Sequence, residues 1–260
     1  MPYIMDAPKK KTSPIKKPPS ISPFLKGRGP TTIYERALRG IAREVGKLID
    51  GYQPTDPVSS ASLTQALKGY SELIGPWALH LATNLFGQVD RQDKMAWQEH
   101  SKTMSESLRK EIANTDTGSV LQALLRANVL LIKSIPIQAA ERVHNLVQEN
   151  MMVGLRSSEL AKKIMETEGV TKSRATLIAR TEVSKASTAL TQARALAIES
   201  DGYLWQTVGD LVVRPSHKAM NGKFVRWDSP VTLDNMTGHA GGFPNCRCWP
   251  LPQVPEGKWE

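Results

Sequence analysis

The run Trp205-Gln-Thr-Val-Gly-Asp210-Leu-Val-Val-Arg214-Pro-Ser-His217, answered downstream by Pro244-Asn-Cys246-Arg-Cys248-Trp-Pro250, decides how this chain is built. It contains both cysteines of the protein, and His217 and His239 lie upstream of them. Four of the six tryptophans, Trp205, Trp227, Trp249 and Trp259, fall in or just after this stretch. A segment this short and rich in polar turns has too little aliphatic surface to hold itself together by burial alone. It needs a staple.

A disulfide between Cys246 and Cys248 would close a strained ring around one residue and constrain almost no chain. A shared metal ion makes better chemical use of two neighbouring thiols. Zinc prefers thiolate and imidazole ligands in a tetrahedron, and such a site contributes about 10–16 kcal/mol to folding. His217 is the third candidate ligand, with His239 or Asp210 as the fourth. The competing reading is a pair of reduced cysteines packed beside Trp249 as small apolar residues.

Outward from this stretch, short strands are expected at Tyr203–Val208, Leu211–Arg214 and Lys223–Trp227, with a turn at Asn221-Gly222. The remainder through Gly238–Pro244 reads as loop. Upstream, the period changes to that of helices. Ile33, Ala37, Leu38, Ile41, Val45 and Leu48 form one apolar stripe after Thr31 or Thr32, and Gly51 and Pro54 end it. A second stripe runs from Leu63 to Leu85, and Pro76 kinks or divides it near Ile74. A more polar helical segment covers Arg91–Ala113 and breaks at Asn114–Gly118. Ser119–Lys133 is apolar on several sides. Pro136 then fits the first turn of another helix, which Gly154 ends. Ser157 or Ser158 opens a short helix stopped by Gly169, and a regular alanine-rich helix follows from Thr171.

On that last helix Arg180 and Glu182 are two positions apart and do not face each other. Each is expected to find a structural ion pair or hydrogen bond in the following domain.

The net charge of +9 is unevenly spread. Residues 1–30 carry seven Lys or Arg against the single acid Asp6, and seven of the seventeen prolines. Proline removes backbone donors and like charges repel, so this arm is expected to be extended and held only by a partner. Lys9, Lys10, Lys11, Lys16 and Lys17 are its candidate contacts to DNA phosphates or an acidic protein surface. With only Tyr3 and Phe24 as aromatics, it has little means of stacking on bases. The longest apolar runs, such as Val129–Ile132, are short, so no transmembrane helix is expected. The N-terminus lacks an apolar signal core, and two cysteines in 260 residues suit a reducing compartment.

Taken in order, Ile178-Ala-Arg180-Thr181-Glu182, Trp205, Gly209-Asp210, Arg214-Pro-Ser-His217, Asn221-Gly222-Lys223 and Asn245-Cys246-Arg-Cys248 resemble the phage Mu F-like head morphogenesis family, minor capsid proteins of tailed bacteriophages. The resemblance covers roughly Ser157–Pro252. Asp210, His217, Cys246 and Cys248 fall on its motif positions, as do Arg180, Glu182, Trp205 and Arg214, and His239 does not. It implies a low-copy structural protein of the virion, assembled in the host cytoplasm and lying inside the head near the portal vertex. Its implied partners are the portal protein, major capsid or scaffold proteins, and phage DNA through the arm.

The expected fold is α+β, with a mostly helical N-terminal part and a small C-terminal module of short antiparallel strands and loops. The expected division is a basic arm at 1–30, a helical domain at 31–156, the Mu F-like domain at 157–252 and a tail at 253–260. Two other functions compete. A metal-dependent hydrolase or nuclease would use Asp210, Arg214, His217 and the thiols, yet the chain has no H-E-x-x-H or paired-carboxylate signature. A zinc-stabilised nucleic-acid-binding module would use the mild cationic excess of Arg214–Trp249.

Overall fold

A computed structural model describes residues 28–54, 56–103, 105–153 and 157–254. The arm lysines Lys9, Lys10, Lys11, Lys16 and Lys17, the helix end expected at Gly154, and Trp259 lie outside them.

The chain is helical to Ala197 and changes to short antiparallel strands after it. Helix α1 spans Arg28–Tyr52, α2 Pro57–Leu73 and α3 Gly75–His100. The expected division at Pro76 falls at Ile74, which closes α2 and opens α3. Asp56 caps α2 by accepting from the backbone N–H groups of Val58 and Ser59, while Ser59 answers from its hydroxyl. After a 3₁₀ turn at Ser101–Thr103 come α4, Glu106–Asn114, and α5, Gly118–Val153.

Two expected helix ends are corrected. Pro136 sits inside α5, and Gly169 sits inside α6, Ser157–Ala197, a single helix of 41 residues. A lone glycine lowers helix stability by only about 1 kcal/mol. Burial on both sides outweighs that here: Leu160 and Ile164 before Gly169, and Ala175, Ile178 and Ala179 after it, lie in one apolar core. Pro136 is itself buried, between Ile132 and Ala139 on the face α5 turns to that core.

The membrane expectation is corrected as well. By length and composition alone, one stretch among the described residues, Glu106–Val153, is long and apolar enough to cross a bilayer. The contiguous apolar runs are short because Arg126 and Asn128 interrupt them, but the average over the stretch stays high. Asn128 is fully buried and accepts from the Tyr34 hydroxyl of α1.

Strands β1 (Gly202–Thr207), β2 (Phe224–Arg226) and β5 (Cys248–Pro252) form an antiparallel sheet in the order β2-β1-β5. Register in the second pair runs from Tyr203 opposite Pro252 to Thr207 opposite Cys248. The short helix α7 (Pro215–Lys218) lies between β1 and β2, and β3 (Val231–Leu233) and β4 (Met236–Gly238) make a separate hairpin. This hairpin replaces part of the expected loop. Its turn, Asp234-Asn235, takes positive φ at both residues, as a two-residue hairpin turn requires.

The expected strand at Leu211–Arg214 is absent. Asp210 accepts from the Val212 backbone N–H through its carboxylate, bending the chain locally, and Pro215 then opens α7. Leu211 and Val212 are left exposed, so nothing there supplies a ladder partner.

Two apolar cores result. The first joins α1, α2, α3, α5 and α6. The second gathers Tyr203, Trp205, Trp227, Phe243 and Cys248 of the module with Trp97 of α3, Leu108 and Ile112 of α4, and Ala195 near the end of α6. Helix α6 therefore contributes to both.

Candidate metal centre

Three of the five predicted ligands meet. The donor atoms of His217, Cys246 and Cys248 all lie within 4.8 Å of one another, and they are the metal-capable cluster among the described residues. His217 is 2% exposed and Cys248 is buried. Both thiols are free.

Local structure explains the convergence. Cys248 is the first residue of β5, so sheet pairing with Thr207 fixes its backbone. Cys246 lies in the turn before it, where its N–H donates to the Phe243 carbonyl and Asn245 takes a positive φ of 50°. That turn brings its sulfur back beside Cys248. His217 comes from α7, whose start is set by Pro215. Its ring is held edge-on between Trp205 and Phe243, with centroids 5.6 Å and 4.8 Å away.

The spacing matches the chemistry. His217 Nδ1 lies 3.5 Å from Cys246 Sγ and 3.5 Å from Cys248 Sγ. A tetrahedral zinc with bonds of about 2.3 Å to sulfur and about 2.05 Å to nitrogen separates those atoms by about 3.6 Å. The same nitrogen faces both sulfurs, as one shared ion requires. The electrostatics favour thiolate at one member of the pair. A hydrogen bond from Cys248, with others from the Gly241 and Cys248 backbone N–H groups and the nearby His217, pulls Cys246 down to about 5. Cys248 is pushed up, first by that same hydrogen bond and then by burial, although the Trp205 indole N–H favours its thiolate. Metal binding would replace the proton held between them.

The other two predicted ligands go elsewhere. His239 Nδ1 lies 3.3 Å from the Tyr203 hydroxyl, and its ring stacks edge-on against Tyr203 and Trp227. Burial lowers its pKa. Asp210 is ion-paired with Arg247, the residue between the two cysteines. Alternation along the chain turns Arg247 outward while its neighbours turn in, and Asp210 follows the arginine. Among the described residues, no fourth His, Cys, Asp or Glu stands with these three. Asp234 Oδ2 is 3.9 Å from the far nitrogen, His217 Nε2, and accepts from Ser216 at 2.9 Å. It belongs to the surroundings of the ring rather than to the ligand set.

Trp205 and Arg214 both frame the cluster. Trp205 is fully buried against His217. Arg214 donates to the Pro244 carbonyl at 2.6 Å, tying α7 to the loop that leads into Cys246.

Among the described residues, Arg180 and Glu182 do not find partners in the module, contrary to expectation. Arg180 pairs at 3.6 Å with Glu35 of α1, which also holds Arg39 at 2.9 Å. Glu182 pairs with Lys185 one turn along its own helix, at 3.1 Å. The reason is angular: on α6 the face toward the module carries Thr181, Ser184 and Thr188, spaced by three and four. The Thr181 hydroxyl accepts from the Asn245 N–H at 3.2 Å, and the Thr188 hydroxyl donates to the Ala240 carbonyl at 2.7 Å.

Gly241 fits under this face with φ +88°, where an added Cβ would strike the Thr188 hydroxyl. These contacts were hidden in the sequence, although Thr181 and Asn245 stand inside the motif. Hydroxyl-to-backbone bonds leave no charge pattern to read.

Residues 141–250 match the family model described as Phage Mu protein F like protein. The match begins earlier than Ser157, inside α5, and ends just before Pro252. A protein of Haemophilus influenzae described as uncharacterized is 36% identical over 132 residues, 51% of this chain. The aligned part makes up 29% of that protein's length, so the chain spans under a third of it. No solved structure matches.

Proposed function

We propose, from the match of residues 141–250 to the Phage Mu protein F-like family, that the chain is a minor head protein of a tailed phage. Its part is structural: it lies inside the head near the portal vertex, meets the portal and the major capsid or scaffold proteins, and contacts DNA through the basic arm. The observation that carries this reading is the family match itself. The site is consistent with it, because the motif residues serve construction: Thr181, Arg214 and Asn245 join α6, α7 and the cysteine loop by hydrogen bonds.

Zinc is the proposed staple, held by His217, Cys246 and Cys248. Bound there, it would supply folding free energy to a module with little apolar surface. A hydrolase would draw on the same three-ligand count, because catalytic zinc keeps its fourth position for water. Two thiolates on a buried site, with Asp234 turned to the far side of the imidazole, favour the structural role.

Mass spectrometry of gradient-purified virions, followed by antibody labelling of disrupted heads, tests the placement. The polypeptide is expected at low copy on one vertex. Its absence from particles, or uniform labelling of the shell, overturns the proposal.

A further inference from the structure

A second site lies away from the cysteines. Between α5 and α6 is a cavity of about 410 Å³ into which two arginines open, Arg142 from α5 and Arg174 from α6. The Nε of each is buried without a hydrogen-bond partner among the described residues. Arg174 reaches only the Ser134 hydroxyl, at 3.3 Å, and neither guanidinium is ion-paired among the described residues. Among the described residues one other arginine, Arg194, has such a buried Nε, and its remaining nitrogens hold Asp90 and Asp93. A buried guanidinium donor left unused is costly, and a planar oxyanion is its natural complement.

We infer that this cavity binds a peptide carboxylate, an acidic side chain or chain end beside an aliphatic residue, presented by a partner polypeptide. Three observations narrow the ligand. Gln138 and Asn145 line the cavity and add neutral amide donors to the two cations. Glu149 lines it too, so the site carries a net charge of one positive and suits a monoanion. Leu146 and Val170 supply apolar wall for the flanking aliphatic group. The volume is that of a small-ligand site, and its concave shape admits a side chain more readily than the backbone of a duplex. The inference does not depend on the cysteine cluster or on the head assignment.

The test is carried out on the full chain by following the arginine Nε–H resonances in ¹H–¹⁵N spectra. N-acetyl-leucine represents a chain end, and N-acetyl-glutamyl-leucinamide represents a side chain. N-acetyl-leucinamide and dimethyl phosphate are the controls. One or both carboxylate probes are expected to shift Arg142 and Arg174 Nε–H saturably, and the tighter one identifies the source. Arg142→Gln should weaken that binding about tenfold, and Glu149→Gln should tighten it. An absence of saturable shifts in the unmutated chain overturns the inference, as does an equal response to dimethyl phosphate or to the uncharged amide. Because the first readout needs no variant, the test stands even where Arg142→Gln misfolds.

Discussion

Cys246, Cys248 and His217 are ordinary residues made unusual by position. The sheet fixes one sulfur, a turn with positive φ at Asn245 returns the other, and two aromatic rings hold the imidazole. Each of the three is therefore expected to be necessary for the ion. Elemental analysis of the purified chain should find about one zinc per polypeptide, and His217→Ala, Cys246→Ser or Cys248→Ser should each reduce it to background. His239→Ala and Asp210→Asn should retain it, since the first stacks on Tyr203 and the second pairs with Arg247. Zinc lost in His239→Ala but kept in His217→Ala would refute the ligand set. The C-x-C and His217 were legible because their residue types have few other uses so close together. That neither His239 nor Asp210 joins them was not legible, since the Tyr203 hydroxyl holds the first and the outward-turned Arg247 the second.

Among the elements, α3 and α6 are joined by a buried ionic knot. Arg194 of α6 donates to Asp93 at 2.5 Å and to Asp90 at 2.8 Å, and Thr191 donates to Asp93 at 2.5 Å. Burial raises the Asp93 carboxyl to about 6 against the opposing pull of Arg194. The folded value thus lies above the usual 3.8, so the folded chain holds this proton more tightly than the unfolded one. The associated stability is complete below about 4 and is lost as pH rises through about 6. Urea titrations from about pH 4 to about pH 7 should show the unmutated chain losing stability relative to Asp93→Asn over that window. Above it Asp93→Asn should be tolerated, since Arg194 keeps Asp90. Arg194→Met strands two carboxylates and should cost about 3–5 kcal/mol. A constant gap between the chain and Asp93→Asn across that range would contradict this assignment.

Most of the helical stripes from Leu38 to Leu85 could be read directly from their period, but Ile33 and Trp77 turn out exposed, and Tyr34, outside the expected stripe, is fully buried. The continuity of α5 and α6 could not be read that way. Pro136 and Gly169 are breakers by local rule, and only packing on both sides of them outweighs it.

At the scale of the whole molecule the two cores are not independent. Trp97, Leu108, Ile112 and Ala195 of the helical region are buried in the same cluster as Trp205 and Trp227. Thermal unfolding followed by far-ultraviolet circular dichroism reports mainly the helices, whereas tryptophan fluorescence reports mainly the second core. The two midpoints are expected to coincide, and chelation should lower both together. Two transitions several degrees apart would show that the module melts alone. The overall order, helices first and short antiparallel strands after Asp201-Gly202, was visible as a change of apolar period. The sharing of cores was not, because it depends on which side of α6 meets which neighbour.

Helix α6 has one more consequence. At 41 residues it is about 60 Å long, anchored in one core along most of its length and in the other at its far end. A body arranged along such a beam has no joint between its halves. Anything bound at the helical end and anything bound at the cysteine end would be kept at a fixed spacing and a fixed relative angle.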